Sequence, residues 1–196
     1  MKNRTRALAL TAILAAVMLV FGFTPIGYIP TPFGIVITLM CLPVIIGTLM
    51  LGLKAGISLG ALFVITSFLK IPSDVFGPTL LAENAFGVAL MIIVPRVLIP
   101  VVSHFVYRAM RTKSELINVS VASVAGSMTN TVLYLALLYA FFADIVAREI
   151  MLSAAFVNGL LEAVVAAAAC APIVRALKKS MPKLNENQNH KENTAA

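Results

Sequence analysis

The sequence has no tryptophan, only two cysteines and two histidines, and few charged residues. Cys41 and Cys170 show no Cys-x-x-Cys or Cys/His spacing, so the sequence predicts neither a disulfide framework nor a zinc site. We expect both thiols to pack inside apolar segments. There is no Walker A motif, no His-Glu-x-x-His motif and no combination of serine, histidine and acid that suggests a nucleophile. These absences disfavour an enzyme, and we predict no cofactor.

Charge is scarce and unevenly distributed. Only 12% of the 196 residues are charged, against about 25% in soluble domains, and 60% are hydrophobic. The mean hydropathy is +0.98. The charges separate apolar stretches of roughly 15–25 residues, long enough to cross ~30 Å of hydrocarbon. We predict an integral membrane protein with one domain over residues 1–180 and a polar, disordered cytoplasmic tail over 181–196.

The predicted fold class is all-α, a polytopic membrane protein with six transmembrane helices. These cover residues 7–23, 34–53, 55–69, 85–107, 116–142 and 150–174. Alternating the sides places twelve of the basic residues on one side and only Lys70 and Arg148 on the other. The positive-inside rule then puts both termini in the cytoplasm. It also explains the net charge of +7 better than nucleic-acid binding does.

The N-terminal segment and the outer loops leave alternatives open. The basic start and apolar run resemble a signal peptide, but residues 24–27 lack a small-x-small cleavage site, so we expect the segment to be retained. The outer loops 24–33 and 71–79 are apolar and rich in proline, which prevents helix in the first. Each loop either covers a pocket or simply lies in the membrane interface.

Arg96 is the only basic residue placed in the middle of an apolar span. A charge at the bilayer centre costs at least ~2.5–3.5 kcal/mol, so such a residue needs a polar cavity or a partner. Its planar fork suits a carboxylate or a phosphate. Pro95 and Pro100 are expected to kink the helix and open room beside the guanidinium.

Counting from the charged ends of each span places other polar residues at the depth of Arg96. These are Asn130 in the fifth helix and Asn158 and Glu162 in the sixth, where a spacing of four puts them on one face. Convergence on one interior ligand site is the economical interpretation, because polar groups in lipid must be satisfied. The structural alternative is that Arg96 pairs with Glu162 and the asparagines form interhelical hydrogen bonds.

Small residues form stripes on several helices. Ala12 and Ala16 give the first helix a small-x-x-x-small face, which permits close helix approach. Gly52, Gly56 and Gly60 form a second run, for which internal packing is the default expectation.

Five motifs in this order resemble the substrate-binding S components of energy-coupling factor (ECF) transporters. They occupy residues 42–47, 51–56, 95–99, 126–131 and 158–163. The resemblance implies six helices, a binding site near the outer face covered by the loop after the first helix, and a location in the bacterial cytoplasmic membrane. It also implies that the helix bearing Ala12 and Ala16 docks on a membrane coupling subunit, with two ATPase subunits completing the complex.

Within this family the sequence looks most similar to the pantothenate-type branch. A vitamin with a carboxylate, an amide and hydroxyls suits Arg96, Asn130 and Asn158. With Glu162, Tyr28 and Thr38 these form the predicted substrate-binding set, and aromatic stacking would rest on Tyr28, Phe33 or Phe76. Two alternatives stay open. One is an S component for riboflavin, folate or another vitamin, and the other is a gradient-driven carrier or channel in which Arg96 and Glu162 form an ion path.

Overall fold

The computed structural model describes residues 2–24, 27–30, 36–74, 76–110, 112–145 and 148–180, with backbone alone at 2–3, 28–30, 36–37 and 148–158. Seven α-helices make up most of this part of the chain. They are α1 (Lys2–Phe23), α2 (Cys41–Leu51), α3 (Leu53–Lys70), α4 (Gly77–Glu83), α5 (Ala85–Ala109), α6 (Glu115–Phe142) and α7 (Arg148–Ser180). Two short antiparallel strands, β1 (Tyr28–Pro30) and β2 (Val36–Thr38), lie between α1 and α2. The predicted tail, 181–196, lies outside the described residues.

The predicted all-α class is confirmed, except that the structure adds the short strand pair β1–β2. Five of the described helices are long and apolar enough to cross a membrane, namely those over Arg4–Phe23, Leu53–Ser73, Ala85–Ala109, Glu115–Phe142 and Gly159–Ser180. The prediction of one continuous helix over 34–53 is wrong, because β2 occupies its start and α2 begins only at Cys41. The β-branched run Val36, Ile37 and Thr38 favours an extended backbone, which hydropathy alone does not reveal. Helix α4 begins within the predicted loop 71–79 and continues to Glu83, in a segment for which no helix was predicted.

Helix α2, with 11 residues, is the shortest of the helices that lie in the six predicted spans, and it lies at the centre of the fold. All but one of its residues are buried, and it packs against α1, α3, α5, α6 and α7. An apolar helix of 11 residues with no polar face is typical of a buried core helix. Gly52 alone separates it from α3, with a φ of 87° that favours glycine and its N–H donating to the Thr48 carbonyl at 2.9 Å.

Close packing of α3 on α5 depends on two glycines. A Cβ on Gly60 would lie 2.8 Å from the carbonyl oxygen of Arg96, and one on Gly56 would collide with Thr48 and Pro100. The expectation that this glycine run serves internal packing is therefore confirmed at Gly56 and Gly60.

The buried apolar residues fall into two clusters. One contains Leu10, Leu14 and Met18 of α1 with most of α2 and parts of α3, α5, α6 and α7. The other joins Ile71, α4, the start of α5 and the end of α6. Both cysteines are buried and free, as predicted.

At the end of the bundle predicted to be cytoplasmic, one lysine connects three helices. Lys178 of α7 donates to the Tyr107 hydroxyl of α5 at 2.6 Å and pairs with Glu115 of α6 at 2.7 Å. Three helices are therefore joined through one ammonium group.

Candidate binding site

Arg96 is buried on α5, with only 8% of its surface exposed. Its Nη1 donates to the carbonyl oxygen of Met91 at 3.0 Å. In a regular helix that carbonyl would accept from the N–H of residue 95, but Pro95 has no N–H to donate. The side chain of Arg96 therefore satisfies a backbone group that the neighbouring proline leaves open, and the bond fixes the guanidinium in place.

Two aromatic rings contact the same guanidinium. Its Cζ lies 5.1 Å from the ring centroid of Phe63 on α3 and 5.3 Å from that of Tyr134 on α6. Such cation–π contacts stabilise a cation that has been removed from water. Phe63 belongs to the first apolar cluster, whereas Met91 and Tyr134 belong to the second, so Arg96 lies where the two clusters meet.

Asn130 lies on α6, one turn before Tyr134, and is 4% exposed. Among the residues that the structure describes, none donates a hydrogen bond to its buried Oδ1. A buried amide oxygen without a donor is costly, at about 1–3 kcal/mol, so this Oδ1 is a candidate acceptor for a bound group.

Glu162 on α7 is 5% exposed and binds two protein donors. Its Oε1 accepts from the backbone N–H of Thr38 at 2.9 Å, and its Oε2 accepts from the Thr131 hydroxyl at 2.6 Å. Thr131 directly follows Asn130 on α6, and Thr38 ends β2. The carboxylate therefore links the strand pair to the two longest helices.

Thr38 begins the transition from β2 into α2. Its hydroxyl oxygen accepts from the N–H of Met40 at 3.3 Å, and its carbonyl accepts from the Cys41 thiol at 3.6 Å. Thr38 thus connects the strand pair, α2 and, through Glu162, α7.

The remaining predicted residues divide into three groups. Phe76 is partly buried and packs against the second apolar cluster. The side chains of Tyr28 and Asn158, and all of Phe33, lie outside the described part of the structure. Ala12 and Ala16 are exposed on α1, on the side away from the buried stripe of Leu10, Leu14 and Met18.

Sequence reasoning missed three residues of this region. Thr131 and Tyr134 lie on α6 near Asn130, and the i to i+4 relation of Asn130 to Tyr134 is a signal that could have found the tyrosine. Phe63 carries no such signal, because it resembles any other apolar residue of α3.

The arrangement suits recognition of an anion that also carries hydrogen-bonding groups. The N–H donors of a guanidinium lie in its plane, which favours paired bonds to a carboxylate. Asn130 adds an acceptor on the neighbouring helix. Among the described residues no group of three or more histidine, cysteine, aspartate or glutamate side chains has a metal-binding arrangement.

Comparisons with known proteins identify the family of the chain. The sequence model of the family described as ECF transporter, substrate-specific component, matches residues 6–174. The chain is also 31% identical over 193 residues to the pantothenic acid transporter PanT of Lactococcus lactis subsp. cremoris, covering 91% of this chain and 97% of the relative. The family and the apolar helices together make this a multi-pass protein of the bacterial cell membrane. The chain belongs to the substrate-specific components of ECF transporters.

Proposed function

We propose that this chain binds pantothenate at the outer side of the membrane and delivers it to the cytoplasm as the substrate-binding subunit of an ECF importer. The observation that carries the proposal is the buried guanidinium of Arg96, fixed by Met91 and contacted by Phe63 and Tyr134. A fixed, desolvated cation is a strong site for a carboxylate. The name of the 31% identical relative supports the choice of vitamin.

The two ends of pantothenate have different chemistry, and the proposal assigns them differently. Arg96 binds the carboxylate. Asn130 presents its buried Oδ1 to an N–H or hydroxyl of the ligand, and Asn158 and Tyr28 complete the contacts to the hydroxyl-bearing end. Thr38 and Glu162 bound the site through the hydrogen bond between them.

The coupling to energy comes from other subunits. The chain has no nucleotide-binding motif, so we propose that a membrane coupling subunit and two ATPase subunits drive transport. The exposed face of α1 with Ala12 and Ala16 is the proposed docking surface, because small residues let helices approach closely. We retain six membrane crossings with both termini in the cytoplasm as part of the proposal.

The test combines native mass spectrometry with binding measurements. The gently solubilised protein is examined for a bound vitamin, and pantothenate is titrated alongside panthenol, in which an alcohol replaces the carboxylate. We expect the wild-type protein to prefer pantothenate. Arg96→Ala should weaken pantothenate binding by about tenfold or more and abolish this preference, because truncating a buried charge partner costs ~2–5 kcal/mol.

Two results would contradict the proposal. If the protein stays empty with pantothenate but binds another vitamin such as riboflavin or folate, the substrate is wrong. If it binds no vitamin of a panel, the alternative of a gradient-driven carrier or channel, with Arg96 as a structural ion-pair partner, is favoured instead.

A further inference from the structure

Glu162 is the one described carboxylate that connects the strand pair to the helices that bear the binding residues. We propose that Glu162 is a positioning residue. It holds the end of β2 against α6 and α7 over the occupied site, and so sets how long the ligand stays bound. This inference rests on the proposed function, and it assigns Glu162 a role other than direct contact with the ligand.

The direction of the Thr38 N–H supports this role. Thr38 faces Tyr28 across the strand pair, and the next residue, Leu39, donates its N–H to the Gly27 carbonyl at 3.1 Å. Successive residues of an antiparallel strand alternate between bonding to the partner strand and pointing away from it. The N–H of Thr38 therefore points out from the free edge of β2, where Glu162 Oε1 accepts it.

The second oxygen of Glu162 connects this edge to the ligand site. Oε2 accepts from the Thr131 hydroxyl, and Thr131 follows Asn130, whose Oδ1 we assign to the ligand. Both oxygens of the carboxylate are thus directed at protein donors. Glu162 therefore accepts a hydrogen bond from the free edge of β2 and also holds the α6 segment that carries Asn130.

Thr38 transmits this attachment to α2. Its hydroxyl and carbonyl hold the first residues of that helix, through Met40 and Cys41. Release of the Thr38 N–H would therefore loosen the strand pair and the start of α2 together.

A conservative substitution separates positioning from ligand contact. In Glu162→Gln the amide oxygen still accepts from Thr38, and the amide N–H₂ donates to the Thr131 hydroxyl, which can accept. The negative charge is lost, but both connections are kept. In Glu162→Ala both connections are lost.

The experiment measures two quantities in detergent-solubilised full-length protein. Hydrogen exchange of the Leu39 amide in ligand-free protein reports on the strand pair at a bond that the substitutions do not remove. Dissociation and association rates of radiolabelled pantothenate report on the ligand. For Glu162→Ala we expect Leu39 exchange and pantothenate dissociation to rise by about tenfold or more, with association changed less, whereas Glu162→Gln stays within about threefold of wild type.

Several results would overturn the inference. Unchanged Leu39 exchange in Glu162→Ala would show that the carboxylate does not hold the strand pair. Equal loss of binding in Glu162→Gln and Glu162→Ala, with Leu39 still protected in the glutamine variant, would make Glu162 a ligand contact. If wild type does not bind pantothenate, the proposed function fails, while the exchange measurement still decides whether Glu162 holds β2.

Thr131→Val keeps the test decisive if Glu162→Ala does not fold. This near-isosteric change removes one donor and leaves the Thr38 bond. We expect Leu39 exchange and pantothenate dissociation to rise in parallel, by less than in Glu162→Ala, and no change in either would contradict the inference.

Discussion

The guanidinium of Arg96 donates to the carbonyl of Met91, five residues earlier on the same helix, at 3.0 Å. That carbonyl is the one that loses its helical donor to Pro95. A sequence feature that weakens the helix therefore also fixes the side chain of the residue beside it. The side chain points back toward the N-terminal end of the helix, as long side chains on helices generally do.

Replacing Pro95 tests this relationship. In Pro95→Ala the new N–H competes for the Met91 carbonyl, so Arg96 is held less firmly. We expect pantothenate affinity to fall by about three- to tenfold, in line with ~1 kcal/mol for one hydrogen bond, while the unfolding temperature stays the same or rises. Isothermal titration and thermal unfolding in detergent measure the two effects.

Pro100→Ala is the matched control for Pro95→Ala. The carbonyl that Pro100 leaves without a helical donor is that of Arg96 itself, so the guanidinium keeps its bond to Met91. Equal effects of the two substitutions on affinity would contradict the role assigned to Pro95.

Arg96→Lys separates charge from shape. Lysine retains a positive charge but lacks the planar fork, so it cannot form paired bonds to a carboxylate or stack its plane on Phe63 and Tyr134. We expect pantothenate affinity about tenfold lower than wild type, with the preference over panthenol retained because the charge is still present. Wild-type affinity in this variant would show that charge alone accounts for binding.

Gly60→Ala tests the contact between α3 and α5. The added Cβ would lie 2.8 Å from the Arg96 carbonyl oxygen, so one helix must shift. We expect a loss of ~1–3 kcal/mol in the free energy of unfolding, measured by denaturation in detergent. Gly22→Ala is the control, since the nearest atoms to its Cβ, in Met40 and Thr66, would lie at 3.5 Å. Comparable loss in both variants would point to a general effect of removing glycine.

Ala12→Trp combined with Ala16→Trp tests the docking surface on α1. Both positions are exposed, so we expect folding and pantothenate binding to be preserved, whereas uptake by cells is abolished because the added bulk prevents close helix approach. Val164→Trp, at an exposed position of α7, serves as the control and should leave uptake intact. Normal uptake by the double variant would refute the coupling surface.

Hydropathy predicted the long helices well because each presents a continuous apolar surface, either to the lipid or to the other helices. It failed at 34–53, where an apolar run contains both a strand and a shorter helix. Apolar character is common to buried strands and helices, so the β-branched residues Val36 and Ile37 were the better guide. The sequence predicted a near-absent link between the second and third helices at Lys54, and the structure places it two residues earlier, at Gly52.

Polar residues in apolar segments could be predicted to need partners, but the partners themselves could not. The burial of Arg96 and Glu162 follows from the cost of a charge in lipid. Their contacts with Phe63 and with the Thr38 backbone depend on how α3 and β2 are rotated against the bundle. That rotation is set by tertiary packing, for which one sequence provides no direct measure.

On the proposed assignment, the buried Oδ1 of Asn130 would give the vitamin a second role, as a temporary hydrogen-bonding component of the protein's own interior. A helix bundle that satisfied this oxygen internally would gain about 1–3 kcal/mol of stability and would bind the ligand less tightly. Selection for transport therefore opposes selection for a rigid, self-sufficient fold at this position. Variants selected only for robustness in detergent should accumulate apolar residues at Asn130 and lose the capacity to import.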